Sequence, residues 1–229
     1  MADDPARTIR RRAILAGFLL GAAGTAVGAT MSSCTTSRQS RNRPRATASR
    51  PSGDGQSVLL AYFSRAGENY YNGGRRRLTV GNTQIVAQMI SRLISCDMYR
   101  IEAADPYSDD YDSTVERNVR EQRADARPAI ANPLVSIERY DTVLLGSPIW
   151  NVRAPMIMST FIEGFDVTGR TIHPFTTYAM SGLGTTERDY AASCPGATLG
   201  EGLAVRGEDV SDAGPAVESW LRRIGLLAR

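Results

Sequence analysis

Lysine is absent from this chain of 229 residues, so all 27 of its basic residues are arginine. A mechanism that needs a Schiff-base or general-base lysine is therefore excluded. Histidine occurs once, at His173, which excludes a histidine-rich zinc site and leaves one residue for any Ser-His or Cys-His relay. His173 lies inside a strand-like run and precedes Pro174, so we predict a structural role for it.

Positive charge is also scarce in the part of the chain that is predicted to fold. The net charge of the whole chain is +3, but residues 57–229 carry 18 arginines against 21 acidic residues. The basic excess therefore belongs to residues 1–56, and we expect no nucleic-acid partner. A content of 42% hydrophobic and 22% charged residues is that of one ordinary globular domain.

The first 33 residues resemble an export signal. Arginines 10–12 are followed by an uncharged apolar stretch, residues 13–29, that contains four glycines. This pattern is typical of a twin-arginine signal. A membrane-spanning helix is the alternative, although 17 residues are at the lower limit of the length that crosses a bilayer. We expect export from the cytoplasm.

Two processing sites are possible after this stretch. Residues 31–34, Met-Ser-Ser-Cys, resemble a lipobox, in which Cys34 would be lipidated and tether the protein to the outer face of the cell membrane. Cleavage after Ala29 would instead release a secreted or periplasmic protein. Residues 34–56 consist mostly of Ser, Thr, Arg, Pro, Gly and Gln with almost no apolar side chains, which predicts a disordered linker.

From residue 57 onwards, apolar runs typical of strands alternate with helical patterns. The first helix is indicated by apolar residues at 85, 86, 89, 90, 93 and 94. The predicted strands are 57–63, 97–102, 142–149, 171–180 and 198–205, and the other predicted helices are 111–124, 156–165, 186–193 and 212–227. This alternation predicts an α/β domain over residues 57–229, with a doubly wound parallel sheet and helices on both faces.

Ligands of such sheets bind beyond the carboxyl ends of the strands. The segment after the first strand ends in Gly81, Asn82 and Thr83 at the start of a helix, where free N–H groups suit a phosphate. A plain helix cap by Asn82 or Thr83 is the alternative. The loop after the third strand places Trp150 at a strand tip, as a stacking surface or a partner contact.

Four motifs carry a resemblance to the flavodoxin-like family: Tyr-Phe-Ser-Arg at 62–65, Gly-Asn-Thr at 81–83, Pro-Ile-Trp at 148–150 and Ser-Gly-Leu-Gly at 181–184. The resemblance implies a five-stranded sheet of order 2-1-3-4-5 and an FMN site. The cofactor-binding residues it implies are Ser64, Arg65, Gly81, Asn82, Thr83, Pro148, Ile149, Trp150, Asn151, Ser181 and Gly182. The flavin would be the reactive centre, with no catalytic side chain and no metal.

Within this resemblance, Ser64, Asn82 and Thr83 would hold the phosphate. The loop containing Trp150 would flank the isoalloxazine, main-chain groups around Trp150 and Asn151 would touch the flavin N5 edge, and Ser181 and Gly182 would approach the ring from its other side. Two departures stand out. About 14 residues separate Gly67 from Asn82, and the inserted segment, with Tyr70, Tyr71 and arginines 75–77, either covers the site or recognises a partner. Asn151 occupies a place where the family often has a second aromatic residue. A flavin gripped on one face only is expected to bind loosely.

The sequence therefore predicts an exported redox protein that carries electrons through FMN, to or from a partner protein or a small-molecule acceptor. An NAD(P)H-dependent quinone or flavin reductase is the alternative, with Arg153 and arginines 75–77 as possible 2′-phosphate contacts. A second alternative is a non-catalytic binding module, in which the rim of the site around Trp150 binds a partner protein or a small aromatic ligand. A disulfide between Cys96 and Cys194 stays open, and acidic residues 105–112 are expected to form a solvated turn rather than a cation site.

Overall fold

The computed structural model describes residues 57–228. The predicted signal segment and the whole of the predicted linker, including Cys34, lie outside this range. No helix within residues 57–228 is long and apolar enough to cross a membrane.

The described chain contains a parallel sheet with helices between its strands, as the sequence predicted. Its strands are β1 (Val58–Tyr62), β2 (Gly67–Tyr71), β3 (Gly74–Leu78), β4 (Asp97–Arg100), β5 (Thr142–Pro148), β6 (Thr171–Tyr178), β7 (Thr198–Leu199) and β8 (Leu203–Arg206). Its α-helices are α1 (Asn82–Leu93), α2 (Tyr111–Arg123), α3 (Met156–Glu163), α4 (Thr186–Ser193) and α5 (Gly214–Arg223), and a 3-10 helix (Gly207–Asp212) precedes α5.

The main sheet has the order β4-β1-β5-β6-β7, with β8 also paired to β6, and every pair is parallel. Counted along the chain without the β2–β3 hairpin, this is the predicted order 2-1-3-4-5, which is confirmed. β1 and β5 are central and almost wholly buried. Two apolar clusters cover the two faces of the sheet, so the core lies between the sheet and helices on each side.

The fifth strand, predicted as one segment over 198–205, is divided into β7 and β8. β7 pairs with residues 171–172 of β6 and β8 pairs with residues 175–178, which leaves Pro174 beside the gap. Proline has no N–H to donate to a neighbouring strand, so the interruption costs no ladder hydrogen bond there. In the gap, the carbonyl oxygen of Glu201 lies 3.0 Å from both His173 Nδ1 and the Trp220 indole nitrogen.

The last predicted helix, 212–227, is shorter in the structure and is preceded by the 3-10 helix. The long segment after β1 was predicted only as an insertion. It forms an antiparallel hairpin of β2 and β3, joined by Asn72 and Gly73 with φ of 47° and 82°. Positive φ at both central residues is typical of a type I′ turn, for which Asn-Gly is the preferred sequence.

Candidate functional site

A cavity of about 330 Å³ opens at the carboxyl ends of β1, β5 and β6. This volume is within the range typical of small-molecule sites. Eight of the residues predicted to bind a cofactor line it, namely Ser64, Arg65, Asn82, Thr83, Pro148, Ile149, Trp150 and Asn151. The cavity is also lined by Asn69, Tyr70, Tyr111, Thr114, Val115, Asn118, Thr177, Tyr178, Ala179 and Gly207, which the sequence reasoning did not select.

One end of the cavity is the start of α1. Gly81 is the N-cap residue of this helix and has no side chain with which to cap it. The start of α1 places backbone N–H groups and the positive end of the helix dipole at this end of the cavity. Ser64 is buried beside this turn, and its Oγ accepts a 3.1 Å hydrogen bond from the N–H of Gln84.

Gly81 is required at this turn by a close approach of the chain to itself. A Cβ atom at position 81 would lie 2.3 Å from Ser64 Oγ and 2.4 Å from the carbonyl oxygen of Arg65. A glycine at this position therefore lets the loop after β1 lie directly against the start of α1. The result is a tight cradle of backbone and hydroxyl groups that fits a phosphate.

In the structure, neither Asn82 nor Thr83 acts as a plain cap of the helix. Thr83 is buried, and its hydroxyl is hydrogen-bonded to the hydroxyl of Thr177 at 2.7 Å. The Asn82 side chain lies against Gly207, where a Cβ would be 2.7 Å from Asn82 Nδ2. The Thr83 side chain thus connects α1 to β6, and the Asn82 side chain connects it to the segment that follows β8.

Arg65 brings a half-buried positive charge to the same end of the cavity. Its guanidinium donates to the carbonyl oxygens of Ser108, at 2.7 Å, and of Glu68. Its Nε is buried and has no hydrogen-bond partner among residues 57–228. Burial lowers the pKa of Arg65, and the negative charge of Asp109 opposes that shift. A buried guanidinium with an unpaired donor favours an anionic ligand.

The loop after β5 forms the other end of the cavity as a strained tight turn. Trp150 and Arg153 exchange backbone hydrogen bonds of 2.8 and 3.3 Å across it. The two central residues, Asn151 and Val152, have φ of 50° and 63°. This left-handed conformation is tolerated by asparagine but costly for a β-branched valine, so the surrounding contacts must hold the turn in place.

The indole of Trp150 is fixed by two aromatic neighbours. Its ring meets Phe63 at a centroid distance of 5.7 Å and Tyr107 at 5.1 Å, both edge to face. The sequence placed Trp150 outside the core, whereas the structure packs it partly against the core while leaving it on the cavity. Packing of this kind orients the ring before any ligand arrives.

The loop after β6 contributes Ala179 to the lining of the cavity. Ser181 and Gly182 do not line it, and the carbonyl oxygen of Gly182 accepts a 3.1 Å hydrogen bond from the Thr176 hydroxyl. Gly184 lies against the loop after β5, because a Cβ there would be 2.2 Å from the carbonyl oxygen of Val152. Gly184 therefore supports the strained turn, and contact of Ser181 or Gly182 with a flavin stays a prediction.

Helix α2 and the hairpin supply most of the lining that sequence reasoning missed. The α2 residues on the cavity are Tyr111, Thr114, Val115 and Asn118. Their spacing of three, four and seven residues places them on one helical face, a signal that was visible in the sequence. Thr114 and Asn118 are buried although most side chains of α2 are polar or charged.

Other predicted features have structural roles. Cys96 and Cys194 are free thiols, so the possible disulfide between them is not present. The acidic segment before α2 is engaged with the chain itself: Asp110 caps α2 through a 2.8 Å hydrogen bond from the Ser113 N–H, and Asp109 and Asp112 are paired with arginines of β3.

Comparison with known proteins is consistent with this geometry. The model of the flavodoxin family matches residues 77–224. A solved structure from Bacteroides uniformis, assigned as a flavoprotein, is 30% identical, with a TM-score of 0.60, and the match covers 73% of this chain and 99% of that one. A similarly assigned Bacteroides eggerthii protein is 29% identical, with a TM-score of 0.58 and coverage of 73% and 97%.

A Lactobacillus acidophilus flavoprotein solved in complex with FMN is 15% identical, with a TM-score of 0.50 and coverage of 70% and 99%, and shares the fold. No curated protein matches this chain.

Proposed function

Because this chain belongs to the flavodoxin family, we propose that it binds FMN in the cavity at the carboxyl ends of β1, β5 and β6 and carries electrons through that flavin. The single observation that supports the proposal is that one cavity combines two different binding surfaces, one at each of its ends. The start of α1, with Ser64 and Arg65 beside it, lies at one end, and the Trp150 turn lies at the other.

The residues present fit this cofactor. The Gly81 cradle and the first N–H groups of α1 would hold the phosphate, with Ser64 and the buried charge of Arg65 beside them. The loop 148–151 would receive the flavin ring on apolar and aromatic surface. FMN supplies the redox chemistry, and the protein supplies binding, orientation and electrostatics.

Each chain segment has a distinct task in this arrangement. Ser64 and Asn82 would bind and orient the phosphate. Trp150, held by Phe63 and Tyr107, would orient the ring and exclude water from one side of it. Residues 150 and 151 of the strained turn line the cavity, so the backbone dipoles of the turn would be preorganised for the ring.

The proposal extends to where the protein works. A twin-arginine signal in residues 1–33, followed by lipidation of Cys34 or release, would place the domain outside the cytoplasm. A partner protein or a small-molecule acceptor would exchange electrons with it there. The support for this part is the sequence of residues 1–56 alone.

The geometry favours neither of the alternatives, the NAD(P)H-dependent reductase and the non-catalytic binding module. Three of the four arginines that were candidates for a nicotinamide 2′-phosphate are already paired, Arg75 with Asp112, Arg77 with Asp109 and Arg153 with Asp189. The fourth, Arg76, lies over the ring of Tyr71. Asn151, which favoured a non-catalytic module, donates a 2.9 Å hydrogen bond to Gln122 and so has a structural role in the turn.

The test is an absorbance titration of the purified full-length chain, stripped of flavin and reconstituted with FMN or riboflavin. We expect a retained flavin spectrum, tighter binding of FMN than of riboflavin, and reduction by dithionite but not by NADH or NADPH. Rapid bleaching by either nucleotide would make the protein a reductase. A folded chain that retains no FMN would overturn the proposal and leave the binding module.

Trp150→Ala tests the ring end of the site, with Trp150→Phe as the matched control that keeps an aromatic ring. Loss of the indole should weaken FMN by about ten-fold. The far-ultraviolet circular dichroism spectrum, which reports secondary structure, should be unchanged because Trp150 is only partly buried.

A further inference from the structure

The hairpin of β2 and β3 borders the cavity through one of its strands. Asn69 and Tyr70 of β2 both line the cavity, and Tyr70 remains 36% exposed. An aromatic side chain left partly exposed at the edge of a concave site is a common feature of ligand contacts. The proposed function so far gives this segment no task.

One side of the hairpin is clamped to α2. The guanidinium of Arg75 makes two hydrogen bonds to the carboxylate of Asp112, at 2.8 and 2.6 Å, and lies 4.7 Å from the centre of the Tyr111 ring. Arg77 pairs with Asp109 at 3.0 Å, and the N–H of Glu68 donates to the Asp109 carbonyl oxygen at 2.7 Å. A bidentate arginine contact fixes orientation as well as distance.

The other side of the hairpin contacts the 3-10 helix that follows β8. The backbone N–H of Asn72, in the hairpin turn, donates a 2.9 Å hydrogen bond to Glu208 Oε1. Glu208 follows Gly207, which lines the cavity, and it also pairs with Arg206 at 3.3 Å. The hairpin is therefore anchored to two separate segments that border the cavity, α2 and the 3-10 helix.

This arrangement bears on the aromatic surface of the site. The loop after β6 lacks an aromatic residue, and Trp150 has Asn151 beside it where a second ring was expected. Tyr70 and Tyr111 line the same cavity as Trp150. Arg75 connects them, because it pairs with Tyr70 across the hairpin and lies over the ring of Tyr111. The hairpin thus supplies aromatic surface that the loop after β6 does not.

We propose that the β2–β3 hairpin is a wall of the FMN site, in which Tyr70 contacts the bound cofactor and Arg75 is a positioning residue that holds this wall against α2. The inference rests on the proposed function, because it names the contact that the inserted segment makes with the same ligand. It implies that FMN is not gripped by Trp150 alone, and that both affinity and dissociation rate depend on the hairpin.

The first experiment compares Tyr70→Ala with Tyr71→Ala in the full chain. Tyr71 is adjacent in β2 but does not line the cavity, and its ring packs beneath Arg76 at 4.9 Å. Affinity is measured by quenching of FMN fluorescence, and the dissociation rate by stopped-flow mixing. Tyr70→Ala should weaken FMN by about ten-fold, mostly through faster dissociation, and should alter the visible spectrum of the bound flavin.

Tyr71→Ala should leave both readouts unchanged, and Tyr70→Phe should restore the affinity because it keeps the ring. The proposal that the hairpin forms a wall of the FMN site is overturned if Tyr70→Ala binds FMN as tightly as Tyr71→Ala does. If the folded wild type retains no FMN at all, the proposed function fails and the wall fails with it, so the two failures are distinguishable.

The second experiment tests the clamp with Arg75→Ala and, as its matched control, Arg76→Ala in the same strand. Arg75→Ala and Asp112→Asn should each speed FMN dissociation. The double variant should be no faster than Arg75→Ala, because Asp112→Asn removes a contact that Arg75→Ala already removes. Arg76→Ala should behave as wild type. Additive effects of Arg75→Ala and Asp112→Asn, or equal effects of the two arginine variants, would refute the positioning role.

Discussion

The side-chain amide of Gln122 donates a 3.0 Å hydrogen bond to the carbonyl oxygen of Trp150, which joins the last turn of α2 to the strained loop after β5. The same side chain accepts a 2.9 Å hydrogen bond from Asn151 Nδ2. On the far side of the turn, the N–H of Thr185 donates to the Val152 carbonyl oxygen at 2.9 Å. These bonds offset the cost of two left-handed non-glycine residues in succession.

Replacing Gln122 by alanine is therefore expected to release the turn. It should lower the free energy of unfolding by about 0.5–1.5 kcal/mol, because the amide hydrogen bonds on both sides are lost. The free energy of FMN binding should fall by more than the free energy of unfolding does, since Trp150 loses its fixed position. Urea denaturation and an FMN titration measure the two effects.

Arg123→Ala is the control for this prediction, since Arg123 is exposed and follows Gln122 in α2. It should change neither quantity. If Gln122→Ala binds FMN with wild-type affinity, the turn does not need the amide to keep its ligand-binding form.

Gly81→Ala should damage the phosphate end of the site. Its Cβ would meet Ser64 Oγ and the Arg65 carbonyl oxygen at distances that real Cβ atoms do not show, so the loop after β1 must move away from α1. Overpacking of this kind typically costs about 1–3 kcal/mol of stability. The FMN preference over riboflavin should shrink, because the cradle that favours the phosphate is opened.

Gly214→Ala is the matched control, since a Cβ there has nothing within 4 Å. Its unfolding free energy should be unchanged or slightly raised, because alanine restricts the unfolded chain. A Gly81→Ala protein that keeps its FMN preference over riboflavin would contradict the phosphate cradle.

Much of the fold was predictable because parallel strands buried on both faces stand out as continuous apolar runs. β1 and β5 are of this kind, and the helix between them shows its buried face in the spacing of Val86 and Ile90. The site residues after β1 and β5 were predictable for a related reason: loops at the carboxyl ends of such strands meet at one edge of the sheet.

The parts that sequence reasoning missed have local explanations. The hairpin carries mostly charged and polar residues, so no alternation marks its strands, although Asn72-Gly73 was a usable turn signal. The cavity face of α2 combines Tyr111, Thr114 and Asn118, and polar residues do not reveal burial in a hydrophobicity pattern. The position of Gly184 against Val152 depends on two loops meeting in space, which a linear pattern does not contain.

Cys194 is expected to resist alkylation in the folded protein. It is buried, and burial, reinforced by the charge of Glu163, raises its pKa to about 11. The thiolate is the nucleophile, so little of it is present at neutral pH. Peptide mapping after iodoacetamide treatment should find Cys194 modified only when urea is added. Rapid modification without urea would show that α4 opens readily.

The pH dependence of stability between about pH 5 and 7 should come from His173, the one histidine of the chain. The ring is 7% exposed and lies over Gly200, and its Nδ1 is 3.0 Å from the Glu201 carbonyl oxygen. Burial lowers the pKa of His173, and the hydrogen bond to Glu201 only partly opposes this. The folded protein therefore disfavours a proton that the unfolded chain accepts near pH 6.5.

The sign of the effect follows from this difference. Above about pH 6.5 both states hold a neutral imidazole and the full stability is present, whereas below it the unfolded state gains a proton first and stability falls. The slope can reach about 1.4 kcal/mol per pH unit for a single group, until the folded pKa is passed. Urea denaturation across this range should show the loss in the wild type and not in His173→Gln. Parallel curves for the two proteins, with the variant merely less stable at every pH, would assign the dependence to other groups.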